Sequence, residues 1–123
     1  MLSESHNRAY QEFLILLEKF ENDCSDLNLK MPRTSISERF NNLQTSFQQY
    51  ILPLTDADLD TAIALRWQSV QTEIKREFRL LSTDILFLTS SRQASTIDTR
   101  LQSVKARVSK LIGYCKLMLS DRS

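Results

Sequence analysis

The sequence predicts an all-α fold, a four-helix antiparallel bundle with one unusually long third helix. Three observations carry that expectation. The 123 residues include one Gly and two Pro, which disfavours a turn-rich β fold and suits long uninterrupted helices. Apolar residues recur at three- and four-residue steps through four stretches, the period of one helical face. The last stretch holds that spacing as a heptad seam. A chain of this length buries roughly two-thirds of the surface its unfolded form exposes. One helical domain over 1–123 therefore needs neither metal nor disulfide to hold a core.

A first helix over 4–23 starts at Ser3 or Ser5, either of which can cap free backbone N–H groups. Tyr10, Phe13, Leu14, Leu17 and Phe20 line one face, and Ile15 and Leu16 widen it. His6, the sole histidine, falls in the first turn and is expected to be solvated. The pattern decays in ENDCSDLNLKMPRT, residues 21–34, which reads as the longest loop.

A second helix over 36–51 opens at a capping box made by Ser35 and Glu38. Ile36, Phe40, Leu43, Phe47 and either Tyr50 or Ile51 form its buried face, and Pro53 stops it. The third helix, 56–90, takes Thr55 as its cap, with Asp56 and Asp58 at its positive end. Leu59, Ile63, Trp67, Val70, Ile74, Phe78, Leu81, Ile85 and Leu88 keep the helical period. EIKREFRLLS leaves one face wet, whereas nearly every side of DILFLTS should be covered. Unbroken, this helix is roughly 52 Å long against roughly 24 Å for the second. Such a mismatch predicts that the third helix either bends or projects towards another protein, with projection favoured, and it leaves room for a homodimer.

SSRQAST is a turn, and Thr96 or Ser95 caps a last helix over 96–119. Ile97, Leu101, Val104, Val108, Leu111, Cys115 and Met118 step by four and three, a seam that suits a bundle core better than an intermolecular coiled coil. Gly113 costs about 1 kcal/mol relative to Ala inside a helix, and would let a neighbouring helix approach closely.

Catalytic chemistry is hard to find. One Gly excludes a phosphate-binding glycine loop, and the sole histidine, His6, comes with no recognisable triad motif or metal-ligand cluster. Cys24 and Cys115 lack metal-ligand spacing, and Cys115 falls on the apolar seam as a buried thiol. Glu73, Glu77 and Asp84 read as the wet face of the third helix. No catalytic residue, cofactor or metal is expected, so the chain reads as a non-enzyme. Its start lacks a charged segment followed by an apolar core, and no apolar run approaches the ~18 residues of a membrane span. The expected location is the cytoplasm, with reduced thiols.

Charge is distributed unevenly. Residues 1–61 hold five Lys or Arg and ten Asp or Glu, whereas residues 62–123 hold eleven and five. That asymmetry fits internal complementarity, head-to-tail self-association, or a basic surface for an acidic partner. Lys75, Arg76 and Arg79 share the polar side of the third helix, and Arg92 follows at the turn. Arg100, Lys105, Arg107, Lys110 and Lys116 decorate the last helix. If the last two helices run antiparallel, Arg79 and Arg92 share an edge with Arg100 or Arg107. Arginine suits such a surface, because its fork gives a carboxylate two donors. Nucleic acid is disfavoured by the near-neutral total charge and the lack of a helix-turn-helix or aromatic platform.

Three stretches, SHNRAYQEFLILLEKF, QTEIKREFRLLSTDILFLTSSRQAS and RLQSVKARVSKLIGYCKLM, resemble the PatD family of cyanobacterial heterocyst frequency control proteins. The resemblance covers most of the chain, is weakest from about 22 to 60, and is strongest in FRLLSTDILFLTSSRQ and LIGYCKLM. It implies a non-enzymatic protein that binds the tubulin-like division protein FtsZ and promotes its assembly, with the division site as its place of action. In filamentous species it implies an influence on heterocyst frequency. FtsZ is acidic, so Arg76, Arg79 and Arg92 become the candidate contacts, with Lys75 and Arg100 flanking. The alternative is a helical scaffold whose basic face pairs with its own acidic half, or a DNA-associated regulatory protein.

Overall fold

A computed structural model of the chain describes residues 2–26 and 33–120. It contains α1 (Glu4–Asp26), α2 (Arg33–Ser46), a π-helical turn (Phe47–Ile51), α3 (Thr61–Ser90) and α4 (Ala94–Ser120), with no strand among the described residues. The helices form a four-membered ring in which each packs on its neighbours in sequence and α4 closes back on α1. The α3–α4 and α1–α4 interfaces are the most extensive. The all-α bundle with a long third helix is what the residue pattern predicts.

Every helix supplies one stripe to the core. Tyr10, Phe13, Leu17, Phe20 and Cys24 come from α1, and Ile36, Phe40, Leu43, Phe47 and Ile51 from α2 and its π turn. α3 adds Trp67, Ile74, Phe78, Leu81, Ile85 and Leu88, and the seam Leu101 to Met118 of α4 covers them. Phe78 is the hub. It stacks on Phe47 at 4.1 Å and on Phe40 at 5.4 Å, and tilts against Phe13 at 6.1 Å. Aromatic pairs at these separations contribute about 0.5–1.5 kcal/mol beyond their area. Cys24 and Cys115 are free and buried, and burial pushes both thiols up to about 12, so they sit in the core as neutral thiols.

Several expected boundaries move. α1 continues to Asp26 because Cys24, seven residues after Leu17, extends its buried stripe. The expected loop is therefore helix at both ends, and its centre, 27–32, lies outside the described residues. α2 begins at Arg33, which puts Ser35 and Glu38 within the helix rather than at its cap. Its last turn widens: Leu52 N–H donates to Phe47 C=O at 3.0 Å, a five-residue step. That turn buries Ile51 and leaves Tyr50 half exposed.

α3 starts at Thr61 rather than 56. Asp60 has extended backbone angles (φ −68°, ψ 164°) and its carboxylate accepts from Ile63 N–H at 3.0 Å, the geometry of an N-cap. Asp56 instead closes a turn through Leu59 N–H at 3.0 Å, and its carboxylate takes the Gln68 side-chain amide. Nor does α3 project. Its buried residues run from Ala64 to Leu88, nearly end to end. α4 runs antiparallel beside it, and Leu54 and Leu59 of the preceding linker pack on the same core. The homodimer expectation loses the mismatch it rested on. α4 begins at Ala94, two residues early, with Ile97 N–H bonded to Gln93 C=O at 3.0 Å. Gly113 does not mediate a close approach: it is exposed, and a Cβ built there would meet nothing within 4 Å.

Candidate functional site

Among the described residues, three polar groupings bear on a candidate site: one end of the bundle, the α3–α4 seam, and the outer face of α3. The first cluster centres on His6, which is buried rather than solvated. It lies on the apolar face of α1, four residues before Tyr10 and seven before Phe13. Nε2 faces the Thr55 carbonyl at 2.8 Å. A carbonyl only accepts, so Nε2 carries a hydrogen, while Nδ1 pairs with the Ser3 hydroxyl. Ser3 also caps α1, accepting from His6 N–H at 3.2 Å. The imidazole meets Trp67 edge-on at 5.4 Å.

Beside it, Trp67 Nε1–H donates to the Tyr10 hydroxyl at 2.8 Å, and Tyr10 donates to Gln71 Oε1 at 2.6 Å. Gln71 Nε2 then donates to Ile51 C=O at 3.1 Å. Burial pushes the Tyr10 phenol up, which keeps it protonated and a donor. The chain of bonds ties α1, the π turn and α3 together, and each polar group is answered by protein. This is a structural lock with no free reacting group.

The second cluster overturns the wet-face reading of two carboxylates. Glu77 and Asp84 are buried, Glu77 almost completely. Arg107 of α4 bridges them: its Nη1 donates to Glu77 Oε2 and its Nε to Asp84 Oδ2, both at 3.1 Å. Ser103 adds a hydroxyl bond to Asp84 at 2.9 Å. Arg76 and Lys110 lie 3.6 and 3.7 Å from Glu77 Oε1. Burial works against the Arg107 charge, but the bonds to Glu77 and Asp84 outweigh it and push the guanidinium up. Arg107 therefore belongs to the seam and not to an edge shared with Arg79 and Arg92.

The third cluster contains the candidate contacts. Lys75 and Arg79 are exposed on the outer face of α3, and Arg92 is exposed in the turn before α4. None of the three has a carboxylate within 4.0 Å among the described residues. Arg76 is half exposed and shared between Glu73 at 3.5 Å and Glu77. Arg100 is half buried, its guanidinium 4.6 Å over the Phe87 ring, a cation–π contact. The five residues thus divide into three open cations, one shared with the seam, and one stacked.

Sequence reasoning missed Leu86 and Phe87, expecting DILFLTS to be covered on nearly every side. Their side chains are 65% and 44% exposed. The available signal is positional: Leu81, Ile85 and Leu88 already define the core face, and Leu86 falls opposite it. Among the described residues, no helix is long and apolar enough to cross a membrane, and no group of three or more His, Cys, Asp or Glu is placed to hold a metal ion. No protein-family model, curated protein or solved structure matches the chain.

Proposed function

We propose that this chain is a non-enzymatic regulator of cell division that binds FtsZ and promotes its filament assembly, and so influences heterocyst frequency in filamentous cyanobacteria. The likeness of three stretches to the PatD family motivates the partner. The observation that carries the reading to a surface is the outer face of α3, where Lys75, Arg79 and the neighbouring Arg92 are exposed without an acidic partner among the described residues. Arg76 and Arg100 flank them. Unneutralised cations on a rigid helix attract an acidic protein and speed its encounter, an effect that weakens with salt. Because Lys75 and Arg79 sit on a helix, their backbone is already ordered before the partner arrives, and only side-chain freedom is lost on binding.

The test is co-sedimentation with GTP-assembled FtsZ, together with light scattering of the assembly reaction. The wild-type chain should pellet with filaments and increase scattering. Lys75→Glu/Arg79→Glu should pellet much less, with the largest difference at low salt. Arg76 is a poorer choice for reversal, because a carboxylate there would face buried Glu77. A folded double variant that pellets like the wild type removes this face from the interaction. A wild-type chain that neither pellets nor alters assembly removes the FtsZ reading.

A further inference from the structure

We infer that the C-terminal part of α3 is the landing site for a short acidic protein segment carrying a large apolar side chain. The inference deepens the partner-binding reading of this face and rests on it. Arg79, Thr83, Leu86 and Ser90 step by four, three and four, and Phe87 lies beside Leu86, four residues after Thr83, so they form one continuous patch on the outside of the helix. Its centre is apolar. Leu86 and Phe87 are open, while Leu81, Ile85 and Leu88 are covered.

Cations surround that centre. Arg79 precedes it, Arg92 follows it in the turn, and Arg100 reaches across from α4 to stack on Phe87. The acidic residues of the same stretch, Glu77 and Asp84, are turned inward and bound by Arg107, so they do not neutralise this surface. On the other side, Leu86 borders a groove of about 290 Å³ between α2 and α3. Ser37, Asn41, Gln44, Ser82 and Thr89 line it, offering hydroxyl and amide groups that can bond a peptide backbone.

Spacing sets the occupant more closely. Arg79 and Leu86 are seven residues apart, about 10 Å along the axis. An extended segment covers that distance in about three residues. The complementary ligand therefore places a carboxylate about three residues from a Leu- or Phe-like anchor. An anionic lipid surface fits less well, because the exposed large apolar side chains of α3 are split between its two ends, Leu65 near the start and Leu86 with Phe87 near the finish, and do not form one continuous face.

The test uses the isotopically labelled full chain and a synthetic peptide, acetyl-Asp-Glu-Asp-Leu-Phe-Asp-amide, followed by NMR. Shifts should concentrate at Arg79, Thr83, Leu86, Phe87, Arg92 and Arg100. Replacing Leu-Phe of the peptide by Ser-Ser, or its acids by Lys, should weaken binding by about fivefold or more. Leu86→Ser and Arg79→Gln should each do the same to the chain, with unchanged thermal melting because both side chains are exposed. Three outcomes overturn the inference: no shifts at millimolar peptide, an equal response to the Ser-Ser peptide, or tighter Leu86-dependent binding to phosphatidylglycerol vesicles. The peptide assay contains no FtsZ, so its failure leaves the FtsZ assay to be judged separately, and the reverse also holds.

Discussion

Lys75 and Glu77 are two residues apart on α3 and meet opposite fates. Glu77 is buried among Arg107, Arg76 and Lys110, whereas Lys75 and its neighbour one turn on, Arg79, face outward with no carboxylate in reach among the described residues. A helix turns by about 100° per residue, so alternate charges in one short run serve different purposes. Those on the inner side fix how α3 meets α4. Those on the outer side leave the surface cationic. Counting charge along the chain gives the total and hides this division.

The contrast can be broken most strongly from the inside. Arg107→Ala should cost about 3 kcal/mol in urea-induced unfolding, because two buried carboxylates lose their shared partner. A cost below about 0.5 kcal/mol, the size of an ordinary surface change, would mean that Arg76, Lys110 and water suffice. Tyr10→Phe should come next, at about 2 kcal/mol, since it leaves Trp67 Nε1–H and Gln71 Oε1 buried without the hydroxyl that joins them. Gly113→Ala should move the other way, stabilising by about 1 kcal/mol, because the site is helical, exposed and open around the new methyl. Differential scanning calorimetry of that single variant is enough to check the sign. Lys75→Ala/Arg79→Ala should have the smallest effect, within about 0.5 kcal/mol. A larger loss would show that the outer face contributes to the fold after all.

Much of this architecture is legible in the residue pattern. The α4 seam from Leu101 to Met118 is buried as its spacing predicts, and so are the stripes of α1 and α2. The failures share a cause. His6, Glu77 and Asp84 each occupy a core-facing position. Glu77 follows Ile74 by three and precedes Leu81 by four, and Asp84 repeats that relation between Leu81 and Leu88. Their chemistry alone marks these side chains as solvated, whereas the helical period places them inside. The start of α3 was lost for a different reason. Thr55, Asp56, Asp58 and Asp60 can all cap a helix, and choosing Asp60 depends on how the linker folds over the core. The candidate site was half legible: the composition of Lys75, Arg79 and Arg92 is in the sequence, but the partial withdrawal of Arg76 and the exposure of Leu86 depend on how the helices are rotated about their axes.

The position of Trp67 has an optical consequence. It is the one tryptophan in the chain, and it is buried against His6 and Tyr10 near the start of α3. Twenty residues, about 30 Å of helix, separate it from Phe87. Indole emission therefore monitors the end of the bundle remote from the Leu86–Phe87 patch. Quenching by iodide follows loosening at that remote end, while a ligand seated beside Phe87 stays spectroscopically silent unless the whole rod transmits the event.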